Sequence, residues 1–168
     1  YEDVKMSDVL KLLAEKIEKR SFEIEKTPYF YEKPVSSVGK ITSKYIYPRL
    51  QEFLKEDNVF IVENGSAING ASKIKYPKGA NFITQALWAS KGWATSATMG
   101  TSLASRNKKV VLLTGDGSHQ IGAIELGSML KNGINPVIIV LNNKVKALQK
   151  ASYGELSQTY CDSFGINF

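Results

Sequence analysis

Three short runs constrain this chain most: residues 58–62 (NVFIV), 109–113 (KVVLL) and 137–141 (VIIVL). Each is nearly continuous in β-branched and aliphatic residues. A strand can carry such a run only if both of its faces are buried, as in a parallel sheet covered by helices. Helical patterns lie between them. One near 88–105 is rich in Ala, Ser and Thr. Another near 118–132 is apolar on most sides through Ile121, Ala123, Ile124, Leu126, Met129 and Leu130, which predicts deep packing. Strand–helix–strand–helix–strand predicts an α/β domain with a mainly parallel sheet flanked by helices.

Upstream, residues 7–19 read as an amphipathic helix, with Ser7 as N-cap and Val9, Leu10, Leu13 and Ile17 at helical spacing. Residues 20–40 are polar, hold Pro28, Pro34 and Ser36-Ser37, and show no steady period, so a domain boundary is placed there. Residues 1–34 are expected to be the tail of a preceding domain with its linker, and 35–168 the main domain. A second helix is expected from about Ser43 to Lys55, with Ile46, Leu50, Phe53 and Leu54 inward and Pro48 confined to its first turn.

A chain of 168 residues that is 43% hydrophobic can bury one substantial core. It has no apolar run of the roughly 18 residues that a membrane span needs. The acidic start (Tyr1, Glu2, Asp3) is unlike a signal peptide. Cys161 is the lone cysteine, which excludes an intramolecular disulfide and a multi-cysteine metal site, and no His or Asp arrangement marks it as a nucleophile. These features predict a cytoplasmic protein. The net charge is +6, but Lys16, Lys19, Lys40, Lys44, Lys73, Lys75, Lys108 and Lys109 are scattered, with acids at Glu15, Glu18, Glu23 and Glu25 between them. That spread describes a solvated basic surface rather than a nucleic-acid footprint.

Chemistry concentrates at Thr114-Gly115-Asp116-Gly117-Ser118, which follows directly on the run 109–113 and opens a helix. In open α/β sheets ligands bind beyond the carboxyl ends of the strands, and glycines there let the backbone approach a phosphate. Asp116 would repel that phosphate unless a cation stands between them. The next buried strand ends in Leu141-Asn142-Asn143, and a right-handed crossover places both strand ends on one edge of the sheet. A carboxylate from one turn and an amide oxygen from the other can then share an ion. Magnesium, hard and octahedral, suits one carboxylate with neutral oxygens, water and a phosphate. A dinucleotide fingerprint is excluded because the third glycine, Gly122, comes two positions late and no ribose-binding acid follows. The phosphate loop with a terminal Lys-Ser/Thr is absent as well.

These residues resemble a known family. The stretch GDGSHQIGAIELGSMLKNGINPVIIVLNN is similar to the thiamine-diphosphate motif in the form carried by pyruvate and indolepyruvate decarboxylases. Glu63-Asn64-Gly65-Ser66-Ala67 resembles the family's E-x-G-T-S turn, and residues 80–92 (ANFITQALWASKG) resemble its N-F-I-x-Q-P-L-W-G-S-I-G segment. The likeness runs from about residue 41 to 154.

The resemblance implies a cofactor, thiamine diphosphate, held through Mg by Asp116, the side chain of Asn143 and the carbonyl of Val145. Gly65, Ser66, Gly115, Gly117 and Ser118 would contact the diphosphate. The carbonyl of Ala89 would meet the aminopyrimidine, and Lys91 would take the place of the residue wedged between the cofactor's rings. The reaction implied is the non-oxidative decarboxylation of a 2-oxo acid. A pyrimidine-binding domain of the same or another chain, and a homo-oligomer, are implied as partners. Family members are several times longer, so the resemblance also implies a piece of a larger enzyme. In this chain a lysine stands at the wedge position. Where the family continues x-G-Y-T-x-E after Asn-Asn, this chain has Lys144-Val145-Lys146-Ala147-Leu148-Gln149, with Gln149 at the catalytic glutamate's place. Those departures leave two alternatives, the cofactor subunit of a two-chain enzyme and a binding module without turnover.

Of the remaining features, His119 opens the motif helix without an assigned chemical role. Trp88, Trp93, Tyr45, Tyr47, Phe53 and Phe82 read as core or dimer-interface packing. Lys144, Lys146 and Lys150 read as a solvated loop.

Overall fold

A computed structural model describes residues 3–18, 21, 30–34, 39 and 41–142. The three apolar runs form the expected strands, β1 (Asn58–Val62), β3 (Lys109–Gly115) and β4 (Val137–Leu141), joined by a further short strand, β2 (Asn81–Thr84); against expectation β4, at the edge of the sheet, is half-buried along its whole length. All pairings are parallel, in the order β2-β1-β3-β4. The helices are α1 (Met6–Lys16), α2 (Ser43–Phe53), α3 (Ser66–Ala71), α4 (Trp93–Ala104), α5 (Asp116–Ile121) and α6 (Glu125–Lys131). Among the described residues no helix is long and apolar enough to cross a membrane.

Alternation along the strands explains why Val59–Val62 of β1 and Val110–Leu113 of β3 are apolar without interruption. Successive side chains point to opposite faces, and both faces are covered. Phe60, Val62, Val111 and Leu113 pack with Tyr47, Leu50 and Leu54 from α2 and its end, and with Ala67 and Ala71 of α3. Val59, Ile61, Val110 and Leu112 face the other way, against Ala94 of α4. Phe60, Ile61, Val62, Val111, Leu112 and Leu113 are fully buried, each stabilising the fold by about 1.5–3 kcal/mol. The two central strands are therefore the mechanical base from which the loops project.

Several expectations are corrected. Helix α1 starts at Met6, with Lys5 as its N-cap and no side-chain cap, so Ser7 does not cap it. Its apolar residues Leu10, Leu13 and Ile17 are exposed among the described residues. Pro48 lies inside α2 beyond the first turn, where it removes one backbone donor. Phe53 is exposed, its ring 5.2 Å from the Lys109 ammonium. The helix expected near 88–105 starts only at Trp93, because Ala89 (φ 52°) and Gly92 (φ 80°) are left-handed and cannot continue a right-handed helix. The helix expected near 118–132 is two helices broken at Gly122, and of its apolar residues Met129 is buried whereas Ile121, Ile124 and Leu130 are exposed. Packing against α4 covers a single face.

Candidate functional site

In an all-parallel sheet every carboxyl end lies on one edge. From β1 the chain steps outward to β2, then returns to β3 and continues to β4 on the opposite side. The strand order thus reverses between β1 and β3, the switch point at which open α/β sheets bind ligands. Residues 63–66 leave β1 there and residues 115–118 leave β3 beside them. In β4, Leu141 pairs with Gly115, which brings Asn142 to the same edge.

Glu63 organises the turn after β1. Its backbone N–H donates to the Leu113 carbonyl (2.9 Å), tying the two strand ends together. Its side chain is 1% exposed. One carboxylate oxygen accepts from the Asn64 N–H (3.1 Å) and the other from the Ala94 N–H (3.2 Å), pinning the first turn of α4 to the end of β1. Burial pushes the Glu63 carboxyl above the usual glutamate range, and the amides of Ala94 and Asn64, the Lys91 ammonium and the Gly92 amide draw it partly back.

Asn64 fastens the following loop. Its Nδ2 donates to the carbonyls of Gln85 and Ala86 (3.4 Å each), while Gln85 Oε1 accepts from the Ser90 N–H (3.1 Å). Lys91 Nζ donates to the Asn64 carbonyl (2.9 Å) and lies 3.5 Å from Asn64 Oδ1. Gly65 has φ 138°, and a Cβ placed on it would stand 3.7 Å from that ammonium. On the other side of Lys91, a Cβ on Gly92 would lie 3.3 Å from the Ser118 carbonyl and 2.7 Å from Ile121 Cβ. Three stretches far apart in sequence, the turn at 63–66, the loop at 85–92 and the turn at 115–118, therefore converge at the switch point.

Of the expected site residues, Gly65, Gly115, Asp116, Gly117 and Ser118 are half-buried there, and Ser66, Ala89 and Lys91 are exposed. Asp116 has no hydrogen-bond or ion-pair partner among the described residues. Asn143, Val145 and Gln149, with Cys161 and Lys144, Lys146 and Lys150, lie outside the described residues. Among those described, no group of three His, Cys, Asp or Glu side chains is placed to hold a metal. His119 is 4% exposed, its Nδ1 3.0 Å from Thr95 Oγ1, and burial holds its imidazole below the ordinary value. It thus joins α5 to α4. Trp88 is 79% exposed on the loop, near exposed Leu87, whereas Trp93 packs on the core. Sequence reasoning missed the roles of Asn64 and of Gly92 with Gly122, whose Cβ would lie 2.9 Å from the Gly92 carbonyl. A carboxylate directly after the apolar run Val59–Val62 was the available signal for Glu63.

Residues 65–164, more than half of the chain, match the family described as "Thiamine pyrophosphate enzyme, C-terminal TPP binding domain". Among curated proteins, a pyruvate decarboxylase of Aspergillus fumigatus is 29% identical, covering 100% of this chain and 32% of that protein. An alpha-keto-acid decarboxylase of Mycobacterium leprae is 38% identical over 71% of this chain and 21% of its own length. Pyruvate decarboxylase isozyme 3 of Saccharomyces cerevisiae is 35% identical over 77% of this chain and 23% of its own. The chain spans less than a third of the length of these relatives.

Proposed function

We infer that this chain, which belongs to the thiamine pyrophosphate enzyme family through its C-terminal TPP binding domain, holds thiamine diphosphate at the β1/β3 switch point through one magnesium ion. Asp116 supplies the carboxylate, and Asn143 and the Val145 carbonyl supply neutral oxygens. Gly65, Ser66, Gly115, Gly117 and Ser118 line the diphosphate. The whole protein's reaction is the non-oxidative decarboxylation of a 2-oxo acid, for which the bound cofactor supplies the electron sink.

The convergence of the turns at 63–66 and 115–118, with Asp116 in the second unpartnered among the described residues, carries this reading. Among the described residues no other carboxylate joins Asp116, because Glu63 is taken up by backbone amides; one carboxylate is a poor cage for calcium or zinc but suffices for magnesium that also draws on a phosphate. Exposed Leu87, Trp88 and Ile121 beside the site fit coverage by a pyrimidine-binding domain of the same or another chain.

Trp88 and Trp93 flank Ala89 and Lys91, so tryptophan fluorescence reports on the site. Titration with thiamine diphosphate should saturate with magnesium present and weaken sharply with chelator. Asp116→Ala should abolish the magnesium-dependent binding, because the neutral ligands left behind cannot balance metal and phosphate. Equal affinity for parent and Asp116→Ala would show the metal site to be misassigned.

A further inference from the structure

We propose that Lys91 is a second cationic contact for the diphosphate, acting at the Asn64-Gly65 turn rather than between the cofactor's rings; this rests on thiamine diphosphate binding at the switch point. The placement of the ammonium is the first ground. Lys91 Nζ lies 2.9 Å from the Asn64 carbonyl and 3.7 Å from where a Gly65 Cβ would stand. It sits over the turn assigned to the phosphate, and Gly92, next in the chain, abuts Ser118.

Donor capacity that the described residues leave unused is the second ground. An ammonium carries three donors. The Asn64 carbonyl takes one, and Asn64 Oδ1 at 3.5 Å takes at most a weak second. No carboxylate among the described residues lies within ion-pair distance of Lys91. The nearby Glu63 is buried, with its oxygens engaged by backbone amides.

Charge balance is the third. A magnesium ion that has accepted the Asp116 carboxylate retains too little positive charge to neutralise a diphosphate. A lysine beside the same phosphates makes up part of the deficit as a compact point charge. An apolar residue at position 91 can contact rings only, so the lysine changes what this position does.

Isothermal titration calorimetry on the full chain tests this, with magnesium thiamine diphosphate and inorganic pyrophosphate as probes. Lys91→Met should weaken both probes about tenfold, the lower end for a charge-assisted hydrogen bond made in partial solvent. Lys91→Arg should stay near the parent, and the parent's affinity should fall more steeply with salt than that of Lys91→Met. If Lys91→Met does not fold by circular dichroism, Lys91→Gln against Lys91→Arg gives the same comparison. Unchanged or tighter binding by the neutral variant overturns the proposal while the parent's binding upholds the cofactor site. Weaker thiamine diphosphate binding with pyrophosphate unaffected also overturns it, returning Lys91 to the rings. A parent chain that binds neither probe removes the cofactor reading and the proposal together.

Discussion

Gly92→Ala probes the packing that brings the three site segments to one point. Gly92 has φ 80°, a left-handed conformation that costs an alanine about 1–2 kcal/mol. Its new Cβ would lie 2.7 Å from Ile121 Cβ and Cγ2 and 3.3 Å from the Ser118 carbonyl. Ile121 is exposed, so its outer atoms can swing away, but its Cβ is fixed by the backbone of α5. Overpacking of this kind typically costs about 1–3 kcal/mol, and the partial relief at Ile121 brings the expected total to about 2–4 kcal/mol. Gly100, inside α4, is the control. A Cβ there meets nothing within 4 Å and its φ is ordinary, so Gly100→Ala should stabilise by about 0.5–1 kcal/mol through helix propensity. Urea unfolding followed by circular dichroism measures both, with shifts in midpoint at constant slope read as stability. Gly92→Ala should also weaken thiamine diphosphate binding, since the displaced loop carries Ala89 and Lys91. Stability of Gly92→Ala within about 0.5 kcal/mol of the parent, the range of an ordinary surface change, would refute the close approach of α4 to α5.

Two further outcomes follow from the same geometry. Ala89 sits at φ 52° and is exposed, so Ala89→Gly should raise stability by about 0.5–1 kcal/mol, the left-handed strain outweighing the added chain entropy; a lower urea midpoint would contradict this. Burial lowers the His119 pKa, so the unfolded chain binds this proton first as pH falls, and stability should decline from about pH 6.5 down through the lowered value. Subtracting the pH profile of His119→Gln from that of the parent isolates this component, and superimposable profiles would show that the imidazole does not contribute it.

The architecture was legible in the sequence where burial is two-sided. Nearly continuous apolar runs at 58–62, 109–113 and 137–141 predict strands between two helical layers, so the strands and the α/β class followed from pattern alone, although β4 at the sheet edge is only half-buried. The place of Gly115–Ser118 was legible as well, because Gly-Asp-Gly follows such a run directly and the turn leaves the carboxyl end of β3. Strand β2 was not legible: its side chains at Asn81 and Phe82 are exposed, so its polar and apolar residues carry no two-sided signature. Helix α3 is too short for periodicity to register. The break in the helix pattern at Gly122 and the late start of α4 at Trp93 arise from the close approach of Gly92, Thr95 and Gly122. The contact of the Lys91 ammonium with the Asn64 carbonyl likewise joins segments distant in the chain. Local pattern determined which segments form the central strands and where the Gly-Asp-Gly turn leaves them. Tertiary structure alone decided which backbone passes within van der Waals reach of which, because that depends on strand order and on contacts between segments distant in the chain.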